Sequence, residues 1–516
     1  MSLKRGIAPE RSIAMGLVTG LILTTLACVL PPAQVHASEA SWTTAHSSSN
    51  SLSQTAVGPE WLKHQVHITV ETNALPAGAS TNGVAPKEKS FSWEASWEGW
   101  NGLHLGLTRK TLLGRILPGV TNLAQPNLGK LTGLSSLGTN TYRLRLEEGK
   151  LTMKIGAKIA VDGAAYVAGK EFKGFDDGAE VRRARLYAMG DCLLLLPVSY
   201  ELEVGYIPNQ FYIENSYLAL RDIPWIGDLK LGQYQGPMGL DVITSSRDIT
   251  FMEPAAPLQA LAPGVSAGIE IGRPVFDQRA TWKLGLFTEG VGSQDIGEAT
   301  KNYGRAISRL TSLPIYKADP GHPSSATLLH LGLSANVLYS ASSSVRYRSR
   351  PESHLAPYVI DTGNIAADSA LVAGAEAAWV TGPFSLQGEY LHSWVPEKNG
   401  QVPGFDGIYA SASWFLTGES RPYNRAEGAF GRVIPHNNFD WGKGGWGAWE
   451  VAARYSFVSL NSDDIHGGRL SMLMAGVNWY LHSHMKWRFD YGFGHVSGRQ
   501  PEGNLNVFQT RMEMDF

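Results

Sequence analysis

The chain of 516 residues is long enough for several soluble domains or for one large membrane barrel. Charged residues make up 17% of it, against roughly 25% in soluble domains, while glycines (57) and aromatics (10%) are plentiful. Lys plus Arg (44) nearly balances Asp plus Glu (46), so the basic excess of a nucleic-acid binder is missing, and a slightly negative mean hydropathy excludes a multi-span helical membrane protein.

Lys4, Arg5 and Arg11 precede an uncharged stretch whose apolar part runs from Ile13 to Leu30. Pro31 and Pro32 then break any helix, and Val35-His36-Ala37 supplies the small residues wanted before a cut, so residues 1–37 read as a secretory signal peptide rather than an uncleaved anchor. Cleavage after Ala37 removes Cys28 and leaves Cys192 alone, which excludes an intrachain disulfide and a metal–thiolate site. Ser38 to Gly58 reads as a flexible Ser/Thr-rich linker. Strand character at Val66–Glu71, Phe91–Trp100 and Leu103–Leu107 makes 38–149 a small β-rich periplasmic extension, and Tyr142 to Leu146 is expected to form a hairpin with the strand that begins near Leu151.

From Leu151 onward the pattern is period two. Leu151, Met153, Ile155, Ala157, Ile159 and Val161 alternate with Thr152, Lys154, Gly156, Lys158 and Asp162, which puts one set on each face of a sheet. About sixteen such segments follow, near 151–162, 180–190, 197–206, 214–221, 228–235, 264–271, 279–288, 302–312, 327–339, 370–380, 383–393, 405–417, 447–458, 469–481, 484–496 and 506–516. Short connections alternate with long ones at 236–263, 340–369 and 418–446, the asymmetry of an outer-membrane barrel with short periplasmic turns and long external loops. Aromatics recur toward strand ends (Tyr206, Trp225, Trp282, Trp394, Trp414, Trp449, Trp479, Tyr480, Trp487), as interfacial girdles require. Lys158, Arg454 and Arg488 stand in mid-strand on the polar face, which a dry sandwich core could not tolerate unpaired and a watery lumen can. The expected fold is all-β: a transmembrane antiparallel barrel of about 16 strands over 150–516, whose closure leaves no unpaired backbone in lipid.

This part of the chain resembles the phosphate- and pyrophosphate-selective porins of the O/P type. The resemblance is carried by Val181-Arg182-Arg183-Ala184, by Leu231-Gly232-Gln233-Tyr234 with Thr244-Ser245-Ser246-Arg247, by Leu416-Thr417-Gly418-Glu419, by Gly447-Ala448-Trp449-Glu450 and by Gly476-Val477-Asn478-Trp479-Tyr480. It implies a homotrimeric porin in the outer-membrane lipid, passing small anionic solutes without a cofactor, with loop 236–263 folded inward to narrow the pore. It also implies an anion path: Lys158 and Arg247 at the constriction, and Arg182 and Arg183 near the outer mouth. Strand alternation adds Lys154 and Arg185 to the same basic group. The chain departs from the family after Phe251-Met252-Glu253, where Pro254 replaces a further basic residue.

By count the lumen is no electropositive channel, because alternation sends Asp162, Glu201, Glu203, Glu270, Glu376, Glu389, Glu450, Asp490, Glu513 and Asp515 inward too. The competing reading is that these charges pair across the lumen and select little. Arg454 is expected to face the wide, well-screened part, where mobile counter-ions mute it. His482 and His484, near Asp490, read as a solvated turn rather than a metal site. Without G-x-S-x-G or a phosphate-binding loop, an enzyme on the barrel has no sequence support. A structural or adhesive barrel is the remaining alternative to a pore.

Overall fold

The computed structural model describes residues 152–516, apart from 194–196, 208–209, 289–303, 320–321, 341 and 443, together with the backbone of six short strands before them. The expected signal peptide and the expected Ser/Thr-rich linker up to Asn50 lie outside the described residues. Four of the short strands, Ser51–Thr55, His67–Glu71, Ala95–Gly99 and Leu103–Leu107, pair in that order as an antiparallel sheet. Leu131–Ser136 and Tyr142–Leu146 are the other two.

Sixteen strands then follow: β1 Thr152–Ala168, β2 Gly178–Leu193, β3 Pro197–Ile207, β4 Gln210–Ile223, β5 Gly227–Gln235, β6 Val265–Val275, β7 Ala280–Phe287, β8 Gly304–Asp319, β9 His322–Tyr339, β10 Ser369–Thr381, β11 Phe384–Trp394, β12 Gly404–Phe415, β13 Ala448–Ser462, β14 Ile465–His482, β15 Met485–Ser497 and β16 Gly503–Asp515. Each pairs antiparallel with the next, and β16 returns to β1 from Leu505↔Ala168 to Asp515↔Lys158. Phe516 extends the seam by exchanging backbone hydrogen bonds with Ala157 at 3.0 and 3.1 Å. The closed ladder leaves no strand edge to be satisfied by solvent, the condition for standing in lipid.

Alternation sorts the side chains as the pattern requires. On β15, Trp487, Phe489, Tyr491 and Phe493 stay exposed on the outer surface while Lys486, Arg488 and Asp490 are buried within. Trp449, Trp479 and Trp487 stack across β13, β14 and β15 with ring centroids 5.0 and 6.5 Å apart. Tyr480 does not belong to this aromatic set: one position from Trp479, it faces inward, where its hydroxyl donates to Glu450 Oε2 at 2.7 Å. A bulge in β2 breaks the alternation once. The register steps from Ala160↔Arg183 to Val161↔Val181, so Arg182 is the extra residue and both arginines reach partners inside the barrel.

The long connections do not all lie at one end. Loops 236–264 and 340–368 follow odd-numbered strands and leave the end of the barrel opposite the C-terminus. Loop 416–447 follows β12, and therefore leaves the end that carries Phe516 and the short turns. The expectation that 418–446 is external is thus corrected. The physical reason is parity: each antiparallel strand reverses direction, so the loop after an even strand shares the end of the C-terminus.

Candidate functional site: the lumen constriction

Loop 236–264 packs inside the barrel and carries two short helices, α1 Leu240–Ile243 and α2 Ala256–Leu261. Neither has its own side-chain cap. The barrel wall supplies one for α1: Glu389 on β11 accepts from Leu240 N and Asp241 N, both at 2.8 Å. For α2 the carboxylate is Glu352 of loop 340–368, which accepts from Ala256 N at 2.8 Å. Between the helices, Asp490 accepts from Met252 N at 2.9 Å.

The basic side chains of β13 to β16 face this loop and are consumed by it. Arg488 donates to the carbonyls of Ile249, Phe251 and Ser246 at 3.3, 2.9 and 3.2 Å. Arg511 donates to Met252 O at 2.6 Å and pairs with Asp162 and Glu253, each at 2.6 Å. Lys486 donates to Arg247 O. Arg454 donates to Glu253 O at 3.1 Å and pairs with Glu352. Arg454 is therefore a buried anchor of two loops, and its expected place in the wide, screened lumen is corrected: the loops cover this wall.

The adjoining wall, β1 to β5, keeps its charges partly open. Lys158 pairs with Glu203 at 2.8 Å, and Arg185 pairs with Glu203 at 3.3 Å and Glu214 at 3.0 Å. Lys154 and Lys158 lie 5.7 and 5.0 Å from the Tyr187 ring centroid. Arg247, on the inward loop, pairs with Asp515 at 2.7 Å. Arg182 pairs with Glu253 at 3.2 Å, and Arg183 lies deeper, 3.9 Å from Glu513. Burial alone would raise the Glu253 carboxyl. The guanidinium groups of Arg182, Arg511 and Arg183 overcome it and hold the group well below the usual carboxylate range. The structure thus brings Lys158, Arg247, Arg182, Arg183, Arg185 and Lys154 to one side of the lumen.

Loop 416–447 closes in from the other end. Arg421 donates to Gln387 Oε1 at 2.7 Å, Tyr423 meets His330 Nδ1 at 2.6 Å, and Glu427 pairs with Lys283 at 2.5 Å. Arg309, buried on β8, donates to Gly428 O at 2.8 Å and pairs with Glu376. Arg432 joins Arg247 on Asp515 and donates to His484 Nδ1 at 2.6 Å. Sequence reasoning missed Arg432, because Gly431-Arg432-Val433 lies in no alternating segment and only the parity of β12 places it at the pore. His482 and His484 stack at 5.8 Å in the turn before β15, and Asp490 is buried under the inward loop.

A closed barrel with a lumen narrowed by inward loops defines a porin-type channel of the outer membrane. Residues 153–516 match the family described as phosphate-selective porin O and P, and the chain belongs to that family. A protein of Caulobacter vibrioides described as uncharacterized is 30% identical over 393 residues, covering 71% of this chain and 75% of its own. Porin O of Pseudomonas aeruginosa is 25% identical over 328 residues, covering 56% of this chain and 70% of its own. Among solved structures, the anion-selective porin of Comamonas acidovorans aligns with 71% of this chain and 100% of its own, at 13% identity and a TM-score of 0.44.

Proposed function

We propose that this porin passes small hydrophilic solutes by diffusion and prefers anions, phosphate or another oxyanion among them. The observation that carries the preference is an asymmetry within the ion pairs. The cation is the more exposed partner: Lys158 13% against Glu203 0%, Arg247 and Arg432 23% each against Asp515 7%, Arg182 19% against Glu253 10%. Arg185 (10%) with Glu214 (15%) and Lys283 (17%) with Glu427 (50%) run the other way. Two of these acids, Glu203 and Asp515, each serve two of the open cations. A solute passing Lys158, Arg182, Arg247 and Arg432 therefore meets ammonium and guanidinium groups before the carboxylates that pair with them.

The reading extends to a cleaved signal peptide over 1–37 and a periplasmic extension over 38–149, both read from the residues, and to a homotrimeric assembly, which the family resemblance implies. Planar-bilayer recording in a KCl gradient tests it. Conductance with a reversal potential of the sign set by chloride supports an anion-preferring pore, cation preference overturns the selectivity, and no conductance from folded protein leaves a structural or adhesive barrel.

A further inference from the structure

His484 stands in the turn between β14 and β15, at the lumen constriction (the eyelet), beside the carboxylate of Asp515 that holds both Arg247 and Arg432. The Arg432 guanidinium donates to His484 Nδ1 at 2.6 Å and to Ser483 O at 2.9 Å. A guanidinium has only donors, so Nδ1 is an acceptor and the ring is neutral, with its proton on Nε2. Asp515 Oδ2 lies 3.6 Å from the same Nδ1, and it is the oxygen that Arg247 and Arg432 share.

A proton reverses what Nδ1 can do. An imidazolium donates from both nitrogens and carries a positive charge, so Arg432 cannot stay at hydrogen-bond distance, while Asp515 Oδ2 becomes the matching acceptor. The other charged or titratable groups around the turn are Lys486 from β15, Glu513 from β16, Arg247 and Asp248 from the inward loop, and Tyr480 and His482 from β14. Lys486 is turned to Arg247 O, Glu513 to Arg488 and Tyr480 to Glu450, and His482 Nδ1 accepts from His484 N at 3.4 Å. Arg432 and Asp515 are therefore the two groups that contend for His484 Nδ1. A cavity of about 20 Å³ opens among these side chains, enough for a water that carries the proton to the ring. Burial and the neighbouring Arg432 charge push the ring below the usual histidine range, so the exchange falls on the acid side of neutrality.

We infer that His484 is the positioning residue of Arg432 and through it a switch of selectivity: neutral, it keeps Arg432 beside Asp515, and on taking a proton at Nδ1 it replaces Arg432 on that carboxylate and frees the guanidinium toward the solute path. The eyelet thereby gains one positive charge and exposes another. The effect on solutes rests on the porin reading, but the exchange of partners at Asp515 does not.

Two measurements on the full chain test it. The first is the reversal potential in a KCl gradient across planar bilayers, followed from about pH 8 to about pH 5, the range in which an unperturbed histidine is the side chain that changes charge. The chloride-to-potassium permeability ratio should rise at least about twofold in a single step as the histidine takes its proton. His484→Gln, whose amide oxygen still accepts from Arg432, should hold the high-pH ratio throughout, and His482→Gln should keep the step. A flat wild-type profile, or an undiminished step in His484→Gln, overturns the inference. The second is histidine-selective nitrogen-15 NMR in detergent, with the His484 signal assigned by its loss in His484→Gln. Arg432→Gln should raise the midpoint of the His484 titration, because the cation that opposes the proton is gone. An unmoved midpoint overturns the exchange whether or not the barrel conducts, whereas a silent barrel in which the midpoint moves overturns the pore reading and leaves the exchange.

Discussion

Phe430 N donates to Thr244 Oγ1 at 3.3 Å, joining a loop that enters from the C-terminal end of the barrel to one that enters from the other. Beside this contact, Ala429 and Phe430 pack with Leu240, Leu313, Leu328 and Val380. Thr244 also donates to Leu240 O at 2.7 Å, so its hydroxyl ends α1 and receives the second loop at once. Two loops therefore set the aperture. Deleting about Val242 to Gln259 should raise single-channel conductance while the barrel persists, and Thr244→Val, which loses about 1 kcal/mol of hydrogen bonding, should add current noise with little change in mean conductance. Unchanged conductance in the folded deletion variant would remove loop 236–264 from the constriction.

Arg454→Leu should loosen loops 236–264 and 340–368 on β13. Glu352, 0% exposed, would lose its guanidinium partner while still meeting Ser456 and Ala256 N. Breaking one side of a buried pair costs about 3–5 kcal/mol. The expected readout is flickering, larger single-channel currents and faster proteolysis within 340–368, with heat-modifiable gel mobility retained. A steady wild-type current would show that the loops do not depend on this anchor.

The barrel was legible because its rule is local. Alternation along one strand decides which face meets lipid, and all sixteen expected segments overlap strands, from 151–162 on β1 to 506–516 on β16. The inward polarity of Arg511 or Asp490 was legible for the same reason. What each charge does there was not. Arg488 and Lys158 read alike in sequence, yet one is buried under the inward loop and the other borders the open lumen, because loop packing is set by contacts more than two hundred residues apart. The bulge that turns Arg182 inward beside Arg183 also leaves no mark in the alternation itself.

The carboxylates of the eyelet restrain its anion preference. Asp515 binds Arg247 and Arg432 from two different loops, and Asp515→Asn removes a negative charge while keeping a side chain of the same shape. The chloride-to-potassium permeability ratio should rise, and Glu203→Gln, which releases Lys158 and Arg185 in the same way, should raise it further. A fall in the ratio for either variant would mean that the carboxylate serves to position its cations rather than to mask them.

Lys158 and Arg247 approach the eyelet from the wall and from the inward loop, so they act on one passing ion from two sides. At about 4 Å and an effective dielectric near 20, a unit pair interacts by roughly 4 kcal/mol before desolvation is counted. Much of that is offset by stripping water, and the remainder must stay small enough for the ion to leave. Arg221, at the C-terminal end of β4, pairs with Asp228 and is 36% exposed, so a Debye length of about 8 Å screens it from an ion in the lumen. Lys158→Gln combined with Arg247→Gln should therefore abolish or reverse the anion preference, while Arg221→Gln should barely move it. The measurement is the reversal potential of each variant in a KCl gradient at low ionic strength, where screening is weakest. Equal small shifts for the double variant and for Arg221→Gln would show that selectivity is spread over the lumen and does not reside at these two residues.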